Sequence, residues 1–301
     1  MIIFATSAYF KRFVDVICQD NPRIISGNHE VLRYPNGEMH VHISDSVANE
    51  ECLVIGSISP PDENLVALLM TSEALKKQGA RSVRVFLPYL SYSRQDKPLP
   101  GEGGGIELVG LLFRASGVDK VITVDTHSQL DEELIGLPFL SIPSASLFIS
   151  SLQGLGWNDF TIVAPDKGAV HRAQAMADLL GVIKPIAHLS KKHEAGDIVH
   201  LDLIGDVGER VIIVDDIIDG GRTIVSACAM LRKNGVKNIA VVVSHGLFID
   251  DAINKVLKLN LTALFVSDSI PSVVGLTDPV IHIIPLRHLL LENITKITEE
   301  K

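Results

Sequence analysis

Short apolar runs rich in β-branched residues recur along this chain, separated by stretches of helical length, and this alternation restricts the fold more than any other feature. Cys52 to Ile55, Val83 to Leu87, Lys120 to Val124, Phe160 to Ala164, Arg210 to Val214 and Asn238 to Val243 read as strands, most of them apolar enough for burial on both faces. Strands separated by helices of about 10 to 15 residues predict crossover units around a mainly parallel sheet, with ligands beyond the carboxyl ends of the strands. The fold class is α/β.

Two similar domains are expected. Leu75-Lys76-Lys77-Gln78-Gly79-Ala80-Arg81-Ser82-Val83 lies over Leu231-Arg232-Lys233-Asn234-Gly235-Val236-Lys237-Asn238-Ile239 at an offset of 156 in a chain of 301 residues. Each copy reads as a helix with basic residues at its end, a glycine suited to a left-handed cap, then a strand. The unit is common in α/β proteins, but an offset of half the chain favours duplication. Ile142-Pro143-Ser144-Ala145-Ser146 is a Pro/Ser-rich break between the copies, placing the domains at 1–145 and 146–301, each a mainly parallel sheet flanked by helices. A terminal helix at about Leu286 to Lys296 can pack on either.

The apolar runs are too short for a membrane span, which needs roughly 20 residues. Met1-Ile2-Ile3-Phe4 lacks the basic start of a secretory signal. Cys18, Cys52 and Cys228 are scattered without ligand spacing, so a reducing cytoplasm is expected. With 27 Lys+Arg against 36 Asp+Glu, the formal charge is −9, which opposes binding to a nucleic-acid backbone. A small phosphorylated ligand stays open, because local amides, a few cations and metal ions can outweigh the global charge.

The segment Val211-Ile212-Ile213-Val214-Asp215-Asp216-Ile217-Ile218-Asp219-Gly220-Gly221-Arg222-Thr223-Ile224 reads as strand, loop and helix. Unpaired N–H groups and the positive end of the dipole at the helix start suit a phosphate, and Thr223 adds a hydroxyl donor. Carboxylates at the strand end suit sugar hydroxyls, so the segment as a whole describes a ribose-phosphate site.

These residues resemble the phosphoribosyl-pyrophosphate (PRPP) loop of the type I phosphoribosyltransferase fold, departing from it with Gly220 for Thr and Arg222 for a second Gly. Four further segments occur in the order of the ribose-phosphate pyrophosphokinase family: Tyr34-Pro35-Asn36-Gly37-Glu38, Pro88 to Lys97, Thr123-Val124-Asp125-Thr126-His127, and Ala164-Pro165-Asp166-Lys167-Gly168-Ala169. Matches continue through Ser244-His245-Gly246 to Ser267-Asp268-Ser269-Ile270-Pro271, so the resemblance spans nearly the whole chain. Shared order is far more specific than a single glycine loop.

The resemblance implies an enzyme that transfers the β,γ-diphosphoryl group of Mg-ATP to the anomeric hydroxyl of ribose 5-phosphate, giving PRPP and AMP. It implies ATP contacts from Arg94, Gln95 and Lys97, and from Tyr34, Asn36 and Glu38 in a loop that in many relatives reaches a neighbouring subunit's nucleotide. A homo-oligomer, dimer or hexamer, follows as an expectation. His127 and Asp166 resemble the family's Mg²⁺ pair, with Asp125 supporting the loop. Lys167, Gly168 and Ala169 resemble the pyrophosphate turn, with Ala169 for a common Gly. Asp215, Asp216, Asp219, Gly220, Gly221, Arg222 and Thr223 would hold ribose 5-phosphate. Ser190 to Asp197 resembles the mobile catalytic loop; Lys191 is chosen to stabilise transition-state charge and Lys192 to assist, with His193 at the third basic position.

Arg-Gln-Asp alone would read as a solvated turn, and a lone His at a strand end as a structural residue; the motif order favours function. The glycine-rich Gly101-Glu102-Gly103-Gly104-Gly105 is expected to be flexible, as a variable surface turn or an effector or subunit contact. Two rival readings share parts of this pattern. A phosphoribosyltransferase would use the Asp215 to Thr223 loop with PRPP and a base, and a catalytically silent regulatory relative would keep the fold.

Overall fold

The computed structural model describes the backbone of residues 1–95, 98–127, 131–194 and 198–298; the side chains of 191–194, 198–201, 295 and 298 lie outside the description. The chain forms two compact units, Met1–Ile142 together with the segment from Leu290 onward, and Pro143–Leu289. The division falls just ahead of the predicted break near residue 145, and the C-terminal segment belongs with the first unit. No helix among the described residues is long and apolar enough to cross a membrane.

The first unit runs β1 (Ile2–Ala5), α1 (Ala8–Asp20), β2 (Ile25–Ser26), β3 (His29–Arg33), β4 (Met39–Ile43), β5 (Glu51–Ile55), α2 (Glu63–Lys77), β6 (Ser82–Leu87), α3 (Gly105–Ala115), β7 (Lys120–Val124), α4 (Asp131–Ile135) and β8 (Phe139–Ile142). Its sheet has the order β2-β1-β5-β6-β7-β8, parallel throughout, with β3 and β4 forming a separate antiparallel hairpin. Every residue of β6 and β7 is buried, as a parallel strand covered on both faces requires.

The second unit runs α5 (Ala145–Gln153), β9 (Thr161–Ala164), α6 (Val170–Leu180), β10 (Ala187–Glu194), β11 (Ile198–Ile204), β12 (Arg210–Ile218), α7 (Arg222–Lys233), β13 (Asn238–Gly246), α8 (Ala252–Leu257), β14 (Ala263–Ser267), a 3₁₀ turn at Pro271–Gly275, β15 (Ile281–Ile284) and α9 (Arg287–Glu292). The sheet order is β11-β10-β9-β12-β13-β14-β15, parallel except for the β10–β11 ribbon. Val211 and Ile213 enter one core with Ile224, Ala227 and Leu231 of α7. Ile212 and Val214 enter the opposite core with Ala173, Met176 and Ala177 of α6. The two-residue period of a strand thus feeds two helical layers. α10 (Ile294–Thr298) closes the chain against the first unit, where buried Lys120 donates to the Lys296 carbonyl at 3.2 Å. The single predicted helix from Leu286 to Lys296 is instead two short helices separated at Asn293.

The sequence echo occupies equivalent places. Leaving aside β3–β4 and β11, each sheet orders its strands second, first, third, fourth, fifth, sixth. The copies are the helix and strand joining the third and fourth of these, α2–β6 and α7–β13. Gly79 and Gly235 have φ of 88° and 84°. In the first copy the N–H of Ala80 donates to Leu75 O, and in the second that of Val236 donates to Leu231 O, both at 3.1 Å. This backbone closure ends a helix with a left-handed residue. The same closure joins Val118 to Phe113 and Val182 to Ala177, so the matched strand order is the stronger sign of duplication.

An alanine Cβ at Gly235 would meet nothing within 4 Å, so its cost is purely that of a left-handed backbone. Gly79→Ala and Gly235→Ala should each lower stability by about 1 kcal/mol, read as a fall in urea midpoint with an unchanged slope.

Candidate active site

In the second unit, β9 and β12 are neighbours in parallel register, Val211 opposite Thr161 and Ile213 opposite Val163. Their carboxyl ends therefore release two loops side by side. After β9 come Pro165, Asp166, Lys167, Gly168 and Ala169, then α6; after β12 come Asp219, Gly220 and Gly221, then α7. Neither helix receives a side-chain cap: its N-cap is Ala169 in one case and Gly221 in the other. The first-turn amides of both helices precede their ladders, which begin with Ala173 N–H to Ala169 O and Val225 N–H to Gly221 O. Such amides are donors for anions.

Asp215 and Asp216 are buried at 7% and 4% exposure in β12. The Asp216 N–H donates to Asp215 Oδ1 at 2.9 Å. Burial, reinforced by the charges of Asp216 and Asp166, holds the Asp215 carboxyl well above the ordinary range. Asp216 has a cationic partner: Arg172 of α6 approaches it at 3.2 Å with both side chains nearly buried. Asp166 is half-buried and accepts from the Ala169 N–H at 3.0 Å, which fastens the turn on which Lys167 and Gly168 are exposed.

The departures from the family loop have local explanations. Gly221 alone of the glycine pair has a left-handed φ, +77°; a Cβ at Gly220 would meet nothing within 4 Å. Arg222 is the first residue of α7 and exposed, and Thr223 is half-buried beside it. Only the left-handed backbone at Gly221 demands glycine, and both replacements flank it. Ala169 has φ −83° and its methyl group is buried in the core, so glycine is not required there either.

In the first unit, Arg94 and Gln95 are exposed in the turn after β6. A Cβ at Gly105 would stand 2.3 Å from Gln95 Oε1, so the amide lies against the start of α3. The glycine-rich segment, expected to be a flexible loop, closes as a turn: Leu99 N–H donates to Glu102 Oε2 at 3.0 Å, and Gly104 and Gly105 begin α3. Tyr92, at φ +70°, donates its O–H to Asp62 Oδ1 at 2.7 Å. Tyr34, Asn36 and Glu38 form the exposed tip of the β3–β4 hairpin. Asn36 Oδ1 accepts from the Glu38 N–H at 3.1 Å, so an amide oxygen closes the loop. Tyr34 stacks on His40 with ring centroids 4.3 Å apart. His127 is exposed beyond β7, after a left-handed Asp125 at φ +38° whose N–H donates to Ile142 O.

Residues 1–117 match the N-terminal domain of ribose phosphate pyrophosphokinase, and residues 142–272 match the phosphoribosyl transferase domain. The ribose-phosphate pyrophosphokinase of Thermosipho africanus is 34% identical over 247 residues, 80% of this chain and 78% of that one. Ribose-phosphate pyrophosphokinase A of Dictyostelium discoideum is 31% identical over 287 residues, 92% and 89% of the two chains. The chain belongs to the ribose-phosphate pyrophosphokinase family. The crystal structure of phosphoribosylpyrophosphate synthetase from Mycobacterium smegmatis matches with a TM-score of 0.87 at 26% identity, covering 98% of each chain.

Within this pyrophosphokinase, the second unit brings together Asp166, Lys167, Gly168 and Ala169 with Asp215 to Thr223 at one sheet edge. His127, Arg94, Gln95, Tyr34, Asn36 and Glu38 lie in the first unit. Lys97 and part of the catalytic-loop segment, 195–197, lie outside the described residues. Lys191, Lys192 and His193, read in the sequence as loop, belong by backbone to β10, where Lys191 pairs with Leu201, Lys192 with His200 and His193 with Val199. Sequence reasoning missed Arg172; its one signal was a basic residue shortly after the Asp166 turn, and its contact with the acid pair appears only in the fold. It also missed the Tyr92–Asp62 bond, which crosses from one loop to the start of α2.

That bond raises the Tyr92 phenol from its ordinary 10.0 to about 12, with burial and the Asp62 charge adding to the effect. A raised folded-state value means stability that is full below pH 10 and lost as pH rises towards 12. Tyr92→Phe should therefore cost about 1 kcal/mol at neutral pH. The difference between variant and parent in urea titrations should narrow above pH 10.

Proposed function

We propose that the chain transfers the β,γ-diphosphoryl group of Mg-ATP to the C1 hydroxyl of ribose 5-phosphate, giving PRPP and AMP. The observation that carries this reading is the pair of buried carboxylates in the carboxyl-terminal half of β12, which leads into an uncapped helix on one face of the sheet, while the adjoining β9 leads into a second uncapped helix on the other face. A sugar ester needs acceptors for its hydroxyls and amides for its phosphate, and a diphosphate needs a second set of donors close by. One crossover sheet edge supplies all three.

Asp215 and Asp216 would accept ribose hydroxyls, while Asp219, Gly220, Gly221, Arg222 and Thr223 would cradle the 5-phosphate. Lys167, Gly168 and Ala169 would hold the diphosphate. Arg94, Gln95 and Lys97 would bind ATP phosphates and polar edges. Tyr34, Asn36 and Glu38 would meet a nucleotide, in a homo-oligomer that of a neighbouring subunit. In the reaction the C1 oxygen bonds to the β-phosphorus as its bond to the α,β-bridging oxygen breaks, and AMP leaves. Lys191 would offset the charge spreading over the transferring group, with Lys192 assisting.

The residues fit Mg²⁺. Burial, with the charges of Asp216 and Asp166 adding to it, holds Asp215 towards its neutral form; a divalent cation would relieve the part due to those charges, and carboxylate oxygen is the donor that Mg²⁺ prefers. Asp166 would hold it through a carboxylate oxygen, and when bound it neutralises phosphate charge. Three free cysteines accord with work in a reducing cytoplasm.

Purified protein given ATP, Mg²⁺ and ribose 5-phosphate should form AMP and PRPP in equal amounts; no such products would refute the reading, and turnover of PRPP with a base would indicate a phosphoribosyltransferase. Lys191→Ala should lower kcat by about 100-fold or more with substrate binding little changed. Equal rates would remove the lysine from its assigned role.

A further inference from the structure

We infer that Arg172 is a positioning residue that locks the ribose-binding acid pair to the diphosphate turn. The inference rests on the reaction proposed above and adds a residue that no motif of the family resemblance includes. Arg172 stands in the first turn of α6. One of its nitrogens reaches Asp216 Oδ2 at 3.2 Å, and another donates to the Gly168 carbonyl at 3.4 Å. The first contact is on the sugar loop and the second on the turn after β9, so one guanidinium spans the two anion sites.

Its placement is not explained by the helix that carries it. A cation in the first turn opposes the macrodipole, and Arg172 is only 10% exposed, which adds a desolvation cost. Asp216, 5% exposed, is the opposite charge that offsets both. The contacts also suit a guanidinium rather than an ammonium, because a planar fork can meet two acceptors in fixed directions at once. With Asp216 Oδ2 held, the carboxylate keeps one orientation before substrate arrives, and the turn carrying Lys167 and Gly168 keeps its distance from it. Pre-set groups of this kind lower the ordering cost of binding.

The test compares the full-length protein with Arg172→Gln, Arg172→Lys, Asp216→Asn and the Arg172→Gln/Asp216→Asn double variant. Ribose 5-phosphate binding is measured by calorimetry, and KM for both substrates by AMP formation. Arg172→Gln should raise the Kd and KM for ribose 5-phosphate roughly tenfold or more, with a smaller rise in the KM for ATP, whose diphosphate meets only the turn and not the acid pair. Arg172→Lys should recover part of the loss. The double variant should be little worse than the weaker single variant, because the two side chains act as one unit.

Parent-like binding in Arg172→Gln, an equal loss for both substrates, or additive losses in the double variant would each overturn the role. If Arg172→Gln does not fold, Arg172→Lys decides: an unchanged KM for ribose 5-phosphate rejects the lock and a selective rise supports it. A parent protein that binds no ribose 5-phosphate would overturn the proposed reaction and the lock together, whereas parent binding with unaffected variants rejects the lock alone.

Discussion

Parallel pairing of β9 with β12 constrains nearly everything at the site. Two parallel neighbours cannot be joined by a hairpin, so each must leave through a crossover, and both exits lie at the same edge of the sheet. The register fixed by Thr161, Ile162 and Val163 against Val211, Ile212 and Ile213 therefore brings the Asp166 turn beside the Asp215–Asp216 pair, where Arg172 joins the two. The same pairing creates an electrostatic problem, because three carboxylates converge where apolar strands end. The protein answers part of it with Arg172 on Asp216 and leaves Asp215 to burial.

Much of this was legible in the chain itself, for physical reasons that differ from residue to residue. The six predicted strands are buried on both faces and so carry uninterrupted β-branched runs; all six are present, some extended by a few residues. β12 runs on through Asp215 to Ile218 because its ladder with β13 continues to Gly246, although acids seldom mark a strand. The β10–β11 ribbon was hidden, since Ser190-Lys191-Lys192-His193 has no apolar alternation and its strand character comes from pairing with a later segment. β2 was hidden by its length of two residues. The site's motifs were visible because backbone geometry limits which residues fit, as at Gly221. Arg172 was not, because its meaning depends on Asp216, which lies 44 positions away in sequence and becomes a neighbour only through the crossover.

The matched topology of the two units raises the question of why only one edge is read as a ribose-phosphate site. In the first unit the counterpart of the β9–α6 turn is Thr6–Ser7, between β1 and α1, and there the Ser7 hydroxyl accepts from the Phe10 N–H. A side chain thus fills a place that in α6 has no side-chain cap. The counterpart of the β12–α7 loop precedes α2, whose start carries Asp62 and Glu63. Carboxylates there satisfy the positive end of the dipole and repel a phosphate, and Asp62 is further engaged by Tyr92. α7 begins instead with Arg222 and Thr223, and no acid lies in its first turn. Two copies of one architecture have therefore diverged at the helix starts: the first places a capping hydroxyl at α1 and acids at the start of α2, whereas α6 and α7 have neither a side-chain cap nor an acid in the first turn. On this argument the specificity of each unit resides in a few capping positions, and the sheet's role is to hold those positions at one edge.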